Sequence, residues 1–414
     1  MVLMDRIDSH SNNACSGVNN NKRLLILDMA RAFAALTVLL SHWEGLIHNS
    51  VFPRGDGQPI FWQGMIRLFE LTFWANGGLH PGVVIFIVLS GFCIHLSYRT
   101  EQNNSATIDL NRPEIGIDHN LGYWIRFVVK RGMRIYPVYL LGAILGCIIT
   151  AIEISGESIV INTYSISINN FILSLLPFYA FAPVEAPQGN GILNTVSVLF
   201  AIYITYPLII CLLKSYTWKA VFAFGIIVHL ANIWFIIIHA DVVWIGRNYY
   251  CCLLYWIIGM YAAGKYLDGK NMGSIFNWKI ITICSGLSFI AYIVAGNFIN
   301  FKGAHFFKTL FFAVLTGWFL RVACEKERRI SLSNYKIISM LSWIGKRSYS
   351  LYAVHLPVIG ITMTYMAYFG AEGEVFARII TLCAVGMVML LSYNYIEYPA
   401  QRIMHKRKYR ESSK

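Results

Sequence analysis

Three ionisable side chains stand inside one apolar stretch of this chain. Residues 24–47 are long enough to span a bilayer, yet they carry Asp28, Arg31 and His42. Charged groups in hydrocarbon are costly, so they face a protein interior or a watery cavity and mark function. In a helix, eleven residues put Arg31 and His42 within about 20° of each other around the axis and roughly 16 Å apart along it. Asp28 falls one turn before Arg31, on nearly the same side. A guanidinium there suits a phosphate or carboxylate. A neutral imidazole further along could take a proton from a hydroxyl. Ala30, Ala32, Ala34 and Ala35 leave room for close helix packing or for a ligand. The plainer reading pairs Arg31 with Asp28, or lets it snorkel, and makes His42 an interfacial residue.

Four further segments carry candidate chemistry. Residues 82–94 (GVVIFIVLSGFCI) place Ser90 and Gly91 at mid-span, a thin spot where a helix or an acyl chain could approach. Residues 130–137 (KRGMRIYP) hold Lys130, Arg131 and Arg134, which read either as a topology anchor or as a phosphate-binding patch at the mouth Arg31 faces. Residues 348–357 (SYSLYAVHLP) contain Tyr352 and His355, and residues 395–402 (YIEYPAQR) contain Glu397, candidates for an acceptor-side or a structural role. The nine cysteines show no Cys-x-x-Cys or Cys/His ligand spacing, so no metal site is expected.

The elements that position these residues are membrane helices. The chain has 414 residues, 57% hydrophobic and only 13% charged, against about 25% charged for a soluble domain. An all-α bundle of ten transmembrane helices is expected, over 24–47, 82–98, 135–154, 192–213, 219–239, 247–266, 279–299, 305–323, 349–369 and 376–396. The stretch 59–76 reads as interfacial and amphipathic, and 169–183, broken by Pro177 and Pro183, as an external and re-entrant loop. With the N-terminus inside, 27 Lys and Arg fall in inside regions, six outside, and Arg31 within helix 1, as the positive-inside rule requires of ten spans with both termini cytoplasmic. The division is then a polar, disordered tail over 1–23, a membrane domain over 24–400 and a basic tail over 401–414. No cleavable signal peptide is read, because the first apolar stretch is too long and lacks a small-residue cleavage site. The net charge of +13 sits in alternate loops rather than in an aromatic-interleaved patch, which argues against nucleic acid.

In series, these segments resemble the membrane-bound acyltransferase 3 family. Asp28, Arg31 and His42 match its first-helix pattern of Asp, Arg and a His eleven residues on. Phe86, Ser90, Gly91 and Phe92 match its second segment, 130–137 its Arg-rich segment, 348–357 its Ser-Tyr-Ser-Leu-Tyr-x-x-His-x-Pro segment, and 395–399 its closing Ile-Glu-x-Pro. The resemblance runs from about 24 to 402. It implies an integral O-acyltransferase, most often an O-acetyltransferase, of bacterial surface polysaccharides such as O-antigen or exopolysaccharide. It further implies acetyl-CoA as co-substrate, no tightly bound cofactor, a lipid-linked glycan acceptor and a multi-pass place in the bacterial cytoplasmic (inner) membrane. On that basis Arg31 and Asp28 serve catalysis, and Lys130, Arg131, Arg134 and Ser90 meet the donor. His42 acts as general base on a sugar hydroxyl or carries the acyl group transiently. Two positions depart from the family: Val84 and Leu199 stand where it commonly has acids. The rival expectations are a secondary transporter for an anionic or sugar substrate and a structural partner of a glycan export complex. The missing internal repeat argues against the transporter, and the Arg31–His42 alignment has no purpose in the structural partner.

Overall fold

The structure is a computed structural model. It describes residues 24–51, 79–108, 121–155, 158–161, 189–238, 248–268, 304–329, 335–371 and 375–403, with isolated residues within 168–181 and 283–290. Of the expected span 279–299 only isolated positions are described, and the amphipathic stretch 59–76 lies outside the described residues, as do the tails apart from 401–403, which are helical. Of 169–183 only single positions are described.

The helices are α1 (Leu25–Val51), α2 (Pro81–Ile108), α3 (Leu121–Ala151), α4 (Leu193–Ser215), α5 (Trp218–Ile238), α6 (Tyr249–Leu267), α7 (Ala304–Arg329), α8 (Lys336–Lys346), α9 (Ser348–Tyr368) and α10 (Val375–Ser392). The all-helical expectation gains one small exception, an antiparallel hairpin of β1 (Ile152–Ser155) and β2 (Ser158–Ile161) after α3. Among the described residues, seven helices are long and apolar enough to cross a membrane. The chain is a multi-pass membrane protein.

α6 falls below that hydropathy because of its tyrosines, tryptophan and lysine, and its position explains why. Fifteen of its nineteen residues are buried by other helices, so it needs protein-compatible rather than lipid-compatible side chains. It crosses α2 with the two backbones in contact: a Cβ at Gly91 would strike the Trp256 carbonyl, and one at Gly259 would strike that of Val88. Small residues permit such an approach where no hydrophobic force pulls helices together. α7 carries the polar run Glu325–Arg329 in its last turns, and Glu327 there accepts from the Leu25 and Ile26 amides at 2.6 and 3.0 Å. That carboxylate satisfies orphan donors at the start of α1 and sits at the positive end of its dipole.

Three departures from the expected boundaries bear on the site. α3 starts at Leu121, well before the expected 135, because Trp124 and Phe127 pack on Tyr206 of α4 and extend the helix past the expected span. α8 falls between the expected spans 305–323 and 349–369, where no helix is expected. It lies against α1, with Ser342 and Gly345 buried toward it, while Ile337, Met340 and Trp343 stay exposed. Past α10 the helix widens into a single π turn, Tyr393–Glu397, in which the Tyr398 amide reaches the Tyr393 carbonyl. Pro399 has no N–H to offer the carbonyl four residues back, which favours this break in register. Such turns recur at functional sites.

Candidate active site

A cavity of about 230 Å³ opens where α1, α2, α3, α4, α9 and the π turn converge. Asp28, Arg31, Ser90, Arg131, Arg134, Tyr352 and Glu397 all line it. The structure thus gathers seven of the ten sequence candidates around one space. Lys130 is not among them. Its side chain is exposed, since it precedes Arg131 by one position and so points about 100° away on the same helix.

Arg31 is held rather than loose. Its Nη1 donates to Asp28 Oδ1 at 2.8 Å and its Nη2 reaches Cys93 Sγ on α2 at 3.0 Å. Asp28 is 1% exposed, and Ser342 Oγ donates to its other oxygen at 3.2 Å. Gly345 of α8 presses on the Asp28 backbone so closely that no Cβ fits. A buried pair of this kind contributes little net stability but fixes geometry. The Arg31 side chain keeps 26% of its surface accessible, and a guanidinium has N–H donors beyond the two used here. The plainer sequence reading, Arg31 paired with Asp28, is what the structure shows, and the pairing leaves part of the guanidinium facing the cavity.

Arg134 stands within electrostatic reach of Arg31, Arg131 and Glu397. Arg131 also lies over the Phe127 ring at 5.3 Å. Lys346, which sequence reasoning passed over, adds a fourth cation to the lining. The lining acids are Asp28, tied to Arg31, and Glu397, which accepts from the Ser350 amide at 3.2 Å, Ser350 Oγ at 2.6 Å and Gln401 Nε2 at 3.0 Å. Leu199, at the position where an acid is expected, also lines the cavity and leaves it more cationic. Val84 is fully buried in the core. Ser90 is engaged in the wall: Trp256 Nε1 donates to its Oγ at 3.2 Å, and Tyr203 OH lies at 2.8 Å.

His42 and His355 lie outside this lining but meet each other, Nδ1 to Nε2, at 3.0 Å. Tyr352 links the two. Phe86 and Tyr352 both line the cavity and contact edge to face at 5.5 Å, and Tyr352 lies 6.0 Å from the His355 ring. The arrangement is a cationic chamber and an imidazole pair, with Tyr352 in the chamber lining and beside His355.

Comparison with known proteins decides the class of chemistry. A sequence family described as an acyltransferase domain, acyltransferase 3, matches residues 24–396. The chain belongs to this acyltransferase family. It is 23% identical over 409 residues to Nodulation protein 10 of Rhizobium leguminosarum bv. viciae, covering 95% of this chain and 96% of that one. It is 22% identical over 358 residues to Peptidoglycan O-acetyltransferase OatA of Listeria monocytogenes serovar 1/2a, covering 81% of this chain but 53% of that protein. No solved structure matches. The chain is a membrane acyltransferase, and the cavity and imidazole pair are its candidate active site.

The residues sequence reasoning missed are those whose role depends on distant partners. Cys93, Ser342, Lys346 and Tyr203 had no local signal. Ser350 lies inside a quoted motif, and its spacing one turn before Val354 gave no hint of Glu397.

Proposed function

We propose that this acyltransferase moves an acetyl group from acetyl-CoA to a hydroxyl of a bacterial surface polysaccharide or its lipid-linked precursor. The observation that carries the reading is the convergence of Arg31, Arg131 and Arg134 on one cavity, with an imidazole pair behind it. Clustered guanidinium groups suit phosphates, and the donor is a polyphosphate with a long thioester arm. The arm would enter past Phe86 and Tyr352 toward His42. His42 would take the proton of the acceptor hydroxyl as its oxygen attacks the thioester carbonyl. The new C–O bond then forms, the C–S bond breaks, and the coenzyme leaves as a thiolate that receives the proton. The similarity to OatA, a peptidoglycan O-acetyltransferase, supports a carbohydrate acceptor. In this reading the bundle has ten spans with both termini cytoplasmic in the inner membrane. The donor cavity opens to the cytoplasm, and His42 lies toward the acceptor side.

The test compares a strain lacking the protein, the same strain with wild type restored, and one carrying His42→Ala, each measured for ester-linked acetate on purified surface polysaccharide. Wild type restores the ester, and His42→Ala at equal abundance does not. Identical ester content with and without the protein refutes the acceptor. Full acetylation by His42→Ala refutes the catalytic assignment.

A further inference from the structure

We infer that His355 is a positioning residue that fixes which nitrogen of His42 carries the lone pair. The inference rests on the function proposed above and concerns how its base is set.

The argument starts at the buried end. His355 lies in α9 and is 1% exposed. Its Nδ1 is 3.0 Å from the Leu351 carbonyl oxygen and 2.9 Å from that of Tyr352. Carbonyl oxygens only accept, so Nδ1 must hold the hydrogen and share it between them. A neutral ring has one protonated nitrogen, which leaves the lone pair on Nε2. That nitrogen faces His42 Nδ1 at 3.0 Å. Two lone pairs at that distance repel, so His42 Nδ1 carries a hydrogen and donates it. The lone pair of His42 is then on Nε2. The ring centroids stand 5.1 Å apart at 41°, an edge-on meeting that suits a nitrogen-to-nitrogen bond better than stacking.

The chain from helix carbonyl to His355 to His42 therefore sets the tautomer by geometry alone. The helix supplies the anchor, because an i−3 and an i−4 carbonyl are in fixed position relative to the ring. The orienting partner is an uncharged acceptor, in contrast to the carboxylate that holds the histidine in serine hydrolases. A neutral partner is cheaper to bury than a carboxylate. When His42 takes a second proton at Nε2, its Nδ1–H bond to His355 becomes charge-assisted and shortens. His355 thus assists the protonated state without touching substrate.

The test uses the full-length protein in inverted membrane vesicles that contain their own glycan acceptor. The initial rate of radiolabelled acetyl transfer from acetyl-CoA is followed against acetyl-CoA concentration, at matched protein abundance. His355→Leu keeps the volume but removes the acceptor. Its maximal rate falls about 10²-fold, within the range for loss of a positioned base, while KM for acetyl-CoA stays within about twofold. His355→Gln can place an amide oxygen near the lost Nε2, and it recovers to within about tenfold of wild type. A purely structural role predicts the reverse order. Equal loss in both variants, or a wild-type rate in His355→Leu, overturns the positioning role. His42→Ala run alongside separates the two readings: a wild-type rate there defeats the proposed function itself. A measurement on the unaltered protein guards against variants that do not accumulate. Histidine ¹⁵N spectra of the nanodisc-embedded wild type should show His42 protonated at Nδ1 and not at Nε2, and the opposite tautomer refutes the inference.

Discussion

Replacing Arg31 with lysine separates the shape of this cation from its charge. The guanidinium spans two partners on different helices, Asp28 at 2.8 Å and Cys93 at 3.0 Å, while part of it remains accessible in the cavity. An ammonium is one point charge. It can keep Asp28, three residues away on α1, but its three donors radiate from one nitrogen and cannot reach both Asp28 and a ligand in the cavity as the separated guanidinium nitrogens do. Loss of one charge-assisted hydrogen bond to donor phosphate costs about 1.5–3 kcal/mol. At 1.4 kcal/mol per tenfold, the Kd for coenzyme A rises about 10–100-fold. Stability changes little, because the buried carboxylate keeps a cation; Arg31→Gln removes it and destabilises by about 3–5 kcal/mol. The assay is calorimetric titration of coenzyme A into the purified protein in nanodiscs, beside thermal unfolding of each variant. Wild-type affinity in Arg31→Lys refutes the assignment of Arg31 to the donor. Equal destabilisation by Lys and Gln refutes the claim that Asp28 needs only a charge beside it.

Two other perturbations test the frame around the site. Lys130→Ala leaves the coenzyme A Kd within about twofold, since that side chain is exposed and off the cavity, whereas Arg131→Ala weakens it at least about tenfold by the same hydrogen-bond magnitude; equal effects in the same titration count against the placement of the basic run. Gly259→Leu drives a side chain into the Val88 carbonyl where α2 and α6 touch, so the protein no longer accumulates in the membrane at wild-type level, read by quantitative immunoblot, while Gly386→Leu on α10, with no described atom within 4 Å of its added Cβ, has no such effect.

Local geometry was legible in the sequence, and partnership between helices was not. Asp28 and Arg31 are three apart, so one turn of helix places them together before any tertiary contact exists. The rule does not sort the basic run: Lys130 and Arg134 are four apart and Arg131 and Arg134 three apart, yet Arg131 and Arg134 reach the cavity and Lys130 does not. Treating the run as one patch lost that distinction. The start of α3 was misplaced because its first turns mix charge with aromatics, and the aromatics find Tyr206, a partner 82 residues beyond Trp124. α8 falls between two expected spans, and the residues that seat it on α1 are Ser342 and Gly345 rather than an apolar face, so hydrophobic periodicity gave no sign of that contact. His42 and His355 were each visible as candidates, yet their bond joins positions 313 apart, and no spacing rule reaches that far.

The two halves of the site are joined by α9 more directly than by α1. Ser350 holds Glu397 at the cavity wall, Tyr352 lines the cavity and faces Phe86, and His355 bonds His42, all within six residues. α1 carries Arg31 and His42 about 16 Å apart, far enough that neither feels the other's contacts. α9 has no such gap. Tyr352 supplies both the ring that lines the cavity beside His355 and the carbonyl that accepts from His355 Nδ1. A shift of α9 that moves the ring to admit a thioester arm must therefore carry that carbonyl with it. On the proposed function, the position of the Tyr352 ring and the tautomer of His42 both follow from one stretch of backbone, and rotation of the Tyr352 side chain alone, which breaks its bond to the Ile192 carbonyl at 3.2 Å, is the movement that leaves the His355–His42 bond unchanged.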